Sequence, residues 1–215
     1  MQGRRLGGWC AVMVGGVVAL GAAVTACGDR PPPPVGAPAA EALASASPAT
    51  PAPADSRSPV ESPPVPPAKL RIDRLGLTAR VDPVGVEADT GDFAVPPSVD
   101  VVGWYKYGPA LNATTGSIVI AGHVDSAKQG GGAFFRLREL GPGDAVAVTG
   151  ADGTVRRFTV VAREIYPKPQ LPMDRLFARD GAARLTLITC GGPFDRGSGH
   201  YRDNVVITAE PGPNG

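Results

Sequence analysis

The chain has 215 residues, a length typical of one folded domain with appendages, because a single core usually takes about 100–200 residues. Its formal net charge is +1, and 19% of its residues are charged. This balance provides no basic excess to neutralise phosphates, so it excludes nucleic acid as an expected partner.

The N-terminal 27 residues have the pattern of an export signal. Arg4 and Arg5 are followed by an uncharged, apolar stretch from Leu6 to Ala26. This stretch ends at Cys27 in a motif that resembles a bacterial lipobox, which implies lipidation of Cys27 and cleavage before it. The alternative is an uncleaved signal-anchor helix, for which the stretch is long enough. Either interpretation predicts attachment to the cell membrane through the N-terminus and an extracellular remainder.

Residues 28–67 are rich in proline, alanine and serine and have few large apolar side chains. Such a composition favours polyproline II and predicts a semi-rigid spacer, with an extended reach on the order of 100 Å. A proline-rich ligand for another protein is the alternative.

Residues 68–210 show the pattern of a folded, mainly β domain, followed by a short tail at 211–215. Short apolar or alternating runs are separated by glycine, proline or aspartate, which predicts an antiparallel or mixed β-barrel or sandwich. Helical pattern is confined to Ala133–Leu140 and Met173–Ala178. The eight predicted strands are Lys69–Ile72, Leu77–Val81, Val101–Tyr105, Ser117–Ala121, Ala145–Thr149, Arg157–Ala162, Leu185–Thr189 and Val205–Thr208.

Two of these predicted strands end in a reactive side chain. His123 follows the run Ser117–Ala121, and Cys190 follows Leu185–Thr189. A strand end followed by glycines gives a nucleophile rigid support and an open approach, and Gly191 and Gly192 come directly after Cys190. The glycines also leave backbone N–H groups free to approach a developing oxyanion. Cys190 and His123 are therefore candidates for nucleophile and acid–base catalyst.

Structural roles compete with this interpretation. A free cysteine at the end of an apolar strand is often a small buried hydrophobe, and a single histidine at a strand end is often a surface residue. The other cysteines, Cys10 and Cys27, lie in the N-terminal apolar stretch, so no disulfide within the domain is expected. One cysteine and two histidines provide no closely spaced ligand pair, and neither zinc nor calcium is predicted.

Two long blocks of sequence resemble the sortases, with the nearest likeness to the class F (E/F) group of actinobacteria. One block is Ile120–Ser126 with Ala133–Leu137, and the other is Leu185–Gly192 with Gly199–Ile207. The resemblance covers nearly all of 68–210. It implies an eight-stranded sortase-type β-barrel with short helices in connecting loops, no cofactor, and a catalytic set of His123, Cys190 and an arginine after the cysteine. Arg202 is the best match for that arginine, and Arg196 is the alternative.

The resemblance also implies a two-step acyl transfer. The Cys190 thiolate attacks a carbonyl in an LPxTG-like sorting signal of a surface protein, and an amine acceptor, such as a cell-wall precursor or a pilin lysine, resolves the thioester. His123 protonates the leaving amine and deprotonates the incoming one, and Arg202 holds substrate oxygens. Asp125 and His200 lie nearby in sequence and are left outside the catalytic set.

Two other function classes fit parts of the sequence. A cysteine L,D-transpeptidase is also an exported β-rich thiol enzyme, but its cysteine lies in a Ser-x-Gly-Cys-x-Arg-type motif, whereas Ile188 and Thr189 precede Cys190 here. A non-catalytic surface lipoprotein with a ligand-binding β-barrel needs no reactive thiol. Rapid labelling of Cys190 by a thiol reagent distinguishes an enzyme from such a binding protein.

Overall fold

The computed structural model describes residues 32–46, 63–88 and 93–213. Within these ranges the chain forms ten β-strands, two α-helices and three short 3-10 turns. The strands are β1 Pro67–Ile72, β2 Leu77–Val84, β3 Val101–Tyr105, β4 Ser117–Ala121, β5 Asp125–Ser126, β6 Gly130–Gly131, β7 Ala145–Gly150, β8 Val155–Pro167, β9 Arg184–Asp195 and β10 His200–Pro211. The α-helices are α1 Ala37–Ser45 and α2 Met173–Leu176, and the 3-10 turns are Asp73–Leu75, Leu137–Glu139 and Lys168–Gln170.

Eight of the strands close into a barrel in the order β1-β2-β3-β4-β9-β10-β8-β7. Most neighbours are antiparallel, but β2 pairs with β3 and β4 pairs with β9 in parallel. The remaining strands, β5 and β6, form a small separate hairpin. The predicted mainly β, eight-stranded barrel with short helices in its connections is therefore confirmed. Strands β8, β9 and β10 extend well beyond the apolar runs that predicted them.

Large apolar side chains occupy the barrel interior. Phe134, Phe158, Leu70, Ile120 and Leu187 are all at most 1% exposed and belong to one cluster of buried residues. In an eight-stranded barrel the interior is just wide enough to be filled by side chains. The packed interior disagrees with the alternative of a barrel that holds a ligand in its centre, so a functional site is expected on the outer surface.

A second apolar cluster covers part of the outside of the barrel. Alternate residues of a strand point to opposite faces, so β4, β9 and β10 also present apolar residues outward. We call this the outer apolar cluster. Its buried members are Val119, Ala121, Leu176, Ile188 and Val206, and Phe93, Val95, Tyr105, Tyr166, Leu171 and Phe177 pack against them.

The predicted helix at 133–140 is wrong for its first half. Residues 133–136 form turns, and a 3-10 turn occupies Leu137–Glu139. The N–H of Ala133 donates to the carbonyl of Val99, and the N–H of Phe134 donates to the carbonyl of His123. These long-range bonds, and the burial of Phe134 in the core, override the local helical pattern. The second predicted helix is confirmed as α2, which ends two residues earlier than expected.

Residues 32–46, which we call the N-terminal strap, lie against the barrel, whereas the sequence predicted a spacer there. Val35 exchanges two backbone hydrogen bonds with Arg163 of β8, at 2.7 and 2.8 Å. The Arg163 guanidinium donates to the carbonyl of Pro33 at 2.8 Å. At the other end of the strap, the N–H of Ala182 donates to the carbonyl of Leu43 at 2.9 Å.

Small side chains allow this close packing. A Cβ on Gly36 would lie 2.0 Å from the carbonyl oxygen of Val161, so only glycine fits where the strap reaches β8. Ala40 of α1 is 3% exposed. Alanine has the highest helix propensity, and a proline in the first turn is compatible with a helix start. The sequence signal for a helix was therefore present inside the proline-rich region. Residues 28–31 and 47–62 of that region lie outside the described residues.

Across the described ranges, no helix is both long and apolar enough to cross a membrane. The predicted export and anchor segment at 1–27 lies outside those ranges.

Candidate active site

His123 and Cys190 are carried by neighbouring strands at matching positions. In the parallel β4–β9 ladder, Ala121 is paired with Ile188, so His123 and Cys190 each follow two residues later. The Gly122 N–H donates to the Ile188 carbonyl at 3.1 Å, and the Thr189 hydroxyl donates to the Gly122 carbonyl at 2.8 Å. These bonds hold the two strands together directly before His123 and Cys190. At the usual strand spacing their Cα atoms are about 5 Å apart.

Both side chains belong to the outer face of the barrel. Ala121 and Ile188 are members of the outer apolar cluster, and alternation gives the residues two positions further on the same orientation. The thiol of Cys190 is free, and the residue is half-buried. The structure therefore brings together His123 and Cys190, the two residues that the sequence singled out, beside the outer apolar cluster.

The His123 ring is fixed by a backbone carbonyl. Its Nε2 lies 2.9 Å from the carbonyl oxygen of Pro96, in the connection between β2 and β3. A carbonyl oxygen only accepts, so this bond assigns a proton to Nε2 and leaves Nδ1 as the nitrogen that exchanges a proton with other groups. A Cβ on Gly132 would lie 2.5 Å from the His123 carbonyl oxygen, so glycine is required for this close approach.

The glycines after Cys190 have packing roles. Gly192 has φ +72, and a Cβ there would lie 2.0 Å from a carboxylate oxygen of Asp203. A Cβ on Gly191 would lie 2.7 Å from a methyl group of Val205. Both glycines allow β9 and β10 to pair through an irregular stretch between Tyr201 and Asp203. This is a different reason for glycine from the access to N–H groups that the sequence suggested.

The two candidate arginines lie in the outer part of the β9–β10 hairpin, beyond the ladder position of Cys190. Arg196 lies in its exposed turn. Arg202 lies in the irregular stretch of β10, with its side chain 65% exposed, and its Nη2 is 3.5 Å from a carboxylate oxygen of Asp195. The structure thus points Arg202 along the hairpin towards Asp195, and it does not place either guanidinium at Cys190.

Asn204 occupies the position across the ladder from Cys190. The two residues are paired in the antiparallel β9–β10 register, and Asn204 is half-buried. The sequence analysis did not select Asn204. The signal that marks it is an amide side chain immediately before the apolar run Val205–Ile207, where a strand rarely carries asparagine.

A hydrogen bond joins the loop after His123 to the strand after Cys190. The hydroxyl of Tyr201 donates to Asp125 Oδ2 at 2.5 Å. This bond, together with partial burial, raises the pKa of Tyr201 to about 12. Phe194 packs edge-on against Tyr201, with ring centroids 5.1 Å apart. Asp125, which was left outside the predicted catalytic set, thus has a structural partner, and Tyr201 is a further residue that the sequence did not indicate.

The helix α2, which supplies Leu176 to the outer apolar cluster, is fastened to β8 by a buried ion pair. Arg175 Nη2 lies 3.0 and 3.1 Å from the two carboxylate oxygens of Glu164, which is 3% exposed. Tyr166 donates its hydroxyl proton to Glu164 at 2.6 Å. Burial and this hydrogen bond raise the pKa of Tyr166 to about 12.

An open cleft of about 450 Å³ continues from the outer apolar cluster. Phe93, Tyr105 and Phe177 belong to both the cluster and the cleft. These three rings pack against one another with centroid distances of 5.2–6.1 Å. The cleft and the outer apolar cluster together form a surface that suits an extended segment with apolar side chains. In the part of the chain that the structure describes, no group of three or more histidine, cysteine or carboxylate residues is arranged to hold a metal ion.

A closed mixed β-barrel with a cysteine within β9 and a histidine just after the neighbouring β4 has the arrangement of a thiol enzyme with an open, surface-facing site. A family model described as the sortase domain matches residues 70–212, which is most of the chain. The chain therefore belongs to the sortase family and is a cysteine transpeptidase. No curated protein sequence matches it significantly.

Several solved sortase structures share the fold. Sortase C-1 from Actinomyces oris is 20% identical, with a TM-score of 0.51 over 67% of this chain and 73% of that one. Sortase C1 from Streptococcus agalactiae is 15% identical, with a TM-score of 0.54 over 69% and 68%. Sortase C from Clostridium perfringens is 14% identical, with a TM-score of 0.50 over 68% and 69%. At these identities the likeness supports the barrel architecture alone.

Proposed function

We propose that this chain is a membrane-tethered, extracellular sortase of the class F type, with Cys190 as nucleophile, His123 as acid–base catalyst and Arg202 as the substrate-holding arginine. The observation that carries the proposal is the adjacency of His123 and Cys190 on the outer face, directly above the outer apolar cluster. A sorting signal bound along that cluster would present its scissile carbonyl to Cys190.

The chemistry follows from this placement. The Cys190 thiolate attacks the carbonyl carbon, and a C–S bond forms while the π electrons move to oxygen. The tetrahedral intermediate expels the amine, which takes a proton from His123, and leaves a thioester. An incoming amine then attacks the thioester, gives its proton to His123 and releases the thiolate. The Pro96 carbonyl holds the proton on Nε2, so Nδ1 performs both transfers.

Arg202 needs to reorient to take part. Its 3.5 Å contact with Asp195 is long and exposed, so it restrains the side chain weakly. A guanidinium offers five donors in a planar fork, which suits it to substrate carbonyl oxygens. Arg196 is the alternative, because the same hairpin carries it.

The substrates we propose are surface proteins with an LPxTG-like sorting signal, and the acceptor is an amine of a cell-wall precursor or a pilin lysine. Transfer from a sorting signal to an amine is what the family performs in general. The class F assignment rests on the sequence blocks around His123 and Cys190, in particular residues 199–207 after the nucleophile.

We further propose that residues 1–27 attach the enzyme to the cell membrane and that the catalytic domain, 68–210, lies outside it. The support is the pair Arg4 and Arg5 before an uncharged apolar stretch. If Cys27 is lipidated, Cys27→Ala releases or misprocesses the protein. Unchanged membrane retention and unchanged gel mobility favour the uncleaved helix instead.

The catalytic proposal is tested by trapping the acyl-enzyme. The protein is mixed with a Leu-Pro-x-Thr-Gly peptide library without an amine, and intact mass spectrometry is expected to show an added acyl mass on Cys190. Addition of several amines then identifies the acceptor through its ligated product.

Cys190→Ala is the control for this experiment, and it is expected to form no adduct and no product. It should still fold, because the lost thiol belongs to a half-buried residue and its removal costs roughly 1 kcal/mol. A Cys190→Ala protein that still cleaves these peptides contradicts the assignment of the nucleophile.

A further inference from the structure

We propose that the Asn204 side-chain amide donates a hydrogen bond to the acyl oxygen during the reaction at Cys190. This role would make Asn204 a catalytic residue, and it rests on the function proposed above. The observation behind it is the ladder pairing of Asn204 with Cys190.

The two side chains share one face of the sheet. Ile188 and Val206 are paired in the ladder, and both belong to the outer apolar cluster. Cys190 comes two residues after Ile188 and Asn204 two residues before Val206, so both also face outward. Directly opposed residues of an antiparallel pair have Cβ atoms about 4.5–5.5 Å apart. Asn204 thus lies within reach of a carbonyl that is being attacked by the Cys190 sulfur.

Other polar groups of β10 are placed differently. Asp203 follows the opposite alternation, and its carboxylate lies against Gly192. Arg202 extends towards Asp195 at the end of the hairpin. Tyr201 donates its hydroxyl proton to Asp125. Asn204 is the residue of β10 that is paired directly with Cys190.

The chemistry of the amide fits the need at this point. Attack by the thiolate moves an electron pair from the C=O bond to its oxygen, which becomes negative until the amine leaves. A carboxamide supplies N–H donors without a charge of its own. Because Asn204 is on a strand paired on both sides, its donor is already in place when the charge develops, which is the condition for effective oxyanion stabilisation.

The local sequence supports a functional role. Asparagine is depleted in strands, yet Asn204 is followed directly by Val205, Val206 and Ile207, which are buried. A residue that opposes local propensity within a well-paired strand is expected where function requires it.

The test separates acyl chemistry from thiol reactivity. In the full-length chain in detergent micelles, the rate of acyl-enzyme formation with a Leu-Pro-x-Thr-Gly peptide is compared with the rate of Cys190 alkylation by iodoacetamide. In alkylation the thiolate displaces iodide from a CH2 carbon, so no charge develops on a carbonyl oxygen. Removal of one oxyanion donor typically costs about 10²–10³-fold. We expect Asn204→Ala to slow acylation by about 100-fold, mainly in kcat, while its alkylation rate stays close to that of the wild type.

Two further variants complete the experiment. Asn204→Thr introduces a strand-forming side chain of similar size and is expected to fold. A loss of acylation in this variant therefore cannot be attributed to unfolding. His200→Ala, on the same strand and exposed, is the matched control and should retain the wild-type acylation rate. Thermal melts verify that each variant is folded.

Each outcome decides between defined alternatives. Acylation by Asn204→Ala and Asn204→Thr at the wild-type rate overturns the proposal and leaves the sortase function intact. A fall of the same size in the acylation rate and the alkylation rate also overturns it, because Asn204 would then affect the reactivity of the thiol and not the acyl oxygen. If the wild type alkylates but never forms an acyl-enzyme, the proposed function itself fails.

Discussion

The paired region that carries His123, Cys190 and Asn204 differs sharply from the outer part of the β9–β10 hairpin, where Arg196 lies in the exposed turn and Arg202 in the irregular stretch of β10. The paired region is held by ladder bonds, by the Thr189 hydroxyl and by the Pro96 carbonyl. Arg202 is exposed, and its guanidinium lies 3.5 Å from the carboxylate of Asp195.

The β9–β10 hairpin therefore carries two kinds of site residue. Groups that must be aligned with the reacting bond are placed by strand register, which fixes position to within a fraction of a strand spacing. A long guanidinium can act from a more exposed position, because it holds substrate oxygens after the substrate has bound. Four predictions test or refine this contrast.

The largest effect is expected for the pair His123 and Cys190. His123→Ala should reduce turnover nearly as far as Cys190→Ala, by at least about 10³-fold, because the thiolate cannot expel an unprotonated amine. The double variant Cys190→Ala/His123→Ala should be no worse than Cys190→Ala alone. Steady-state transpeptidation kinetics measure this, and additive losses would show that the two residues do not act as one unit.

A smaller effect is expected for the two arginines of the β9–β10 hairpin. Arg202→Lys retains the charge but loses the planar fork, so it should reduce kcat/KM on the order of 10-fold to 100-fold. Arg196→Ala, the matched change in the exposed turn, should be mild. The same peptide-cleavage assay compares both variants. The reverse order of effects assigns the role to Arg196.

The N-terminal strap affects stability and leaves the chemistry unchanged. Deletion of residues 1–62 removes the Val35–Arg163 and Leu43–Ala182 backbone bonds, at about 1 kcal/mol each. We therefore expect a free energy of unfolding about 2–4 kcal/mol below that of a variant lacking only residues 1–31. Urea unfolding measures the difference, and the folded protein should keep its activity, because the strap contacts β8 and residue 182.

A matched pair within α1 tests the same packing. Ala40→Glu places a charge where the helix meets the barrel, whereas Ala39→Glu lies on the exposed side of the same turn. Only Ala40→Glu should lower the unfolding midpoint. Equal midpoints for the two variants would contradict a docked strap.

The smallest effect is expected for the bond between Tyr201 and Asp125, which joins the two regions. Tyr201→Phe should lower stability by at most about 1 kcal/mol at neutral pH, because the bond is partly exposed. The pKa of Tyr201 is raised to about 12, above its value of about 10 in the unfolded chain. Its contribution is therefore complete below pH 10 and is lost as the pH rises through 12.

The measurement is the difference in unfolding free energy between wild type and Tyr201→Phe from pH 8 to 12. This difference should shrink above pH 10. Tyr166 is present in both proteins, so its own contribution cancels in the difference. Tyr107→Phe, at an exposed ring, serves as the control for loss of a tyrosine hydroxyl. A constant difference across this range would mean that the Tyr201 hydroxyl is not bonded to Asp125.

Local pattern was sufficient where burial and periodicity coincide. The apolar runs before His123 and Cys190 indicated both strands and both reactive side chains, because a buried strand must be apolar and a polar group stands out where the apolar run stops. The expected strand end at Cys190 was wrong, since β9 continues to Asp195. The same reasoning missed the strap, whose alanine-rich helix is stabilised by contact with β8. It also extended a helix over residues 133–136, where bonds to distant carbonyls fix the turn instead.

The sequence by itself thus determined the mainly β class of the domain, the eight strand segments, the sortase family and the pair of reactive residues, since each depends on local composition or on a contiguous motif. Strand order and register were decided by the tertiary structure alone. Nothing in the spacing along the chain states that β4 lies beside β9 in parallel, or that Asn204, rather than an arginine, stands opposite Cys190. These pairings depend on side chains far apart in sequence that bury one common surface, and they decide which groups surround the reacting sulfur.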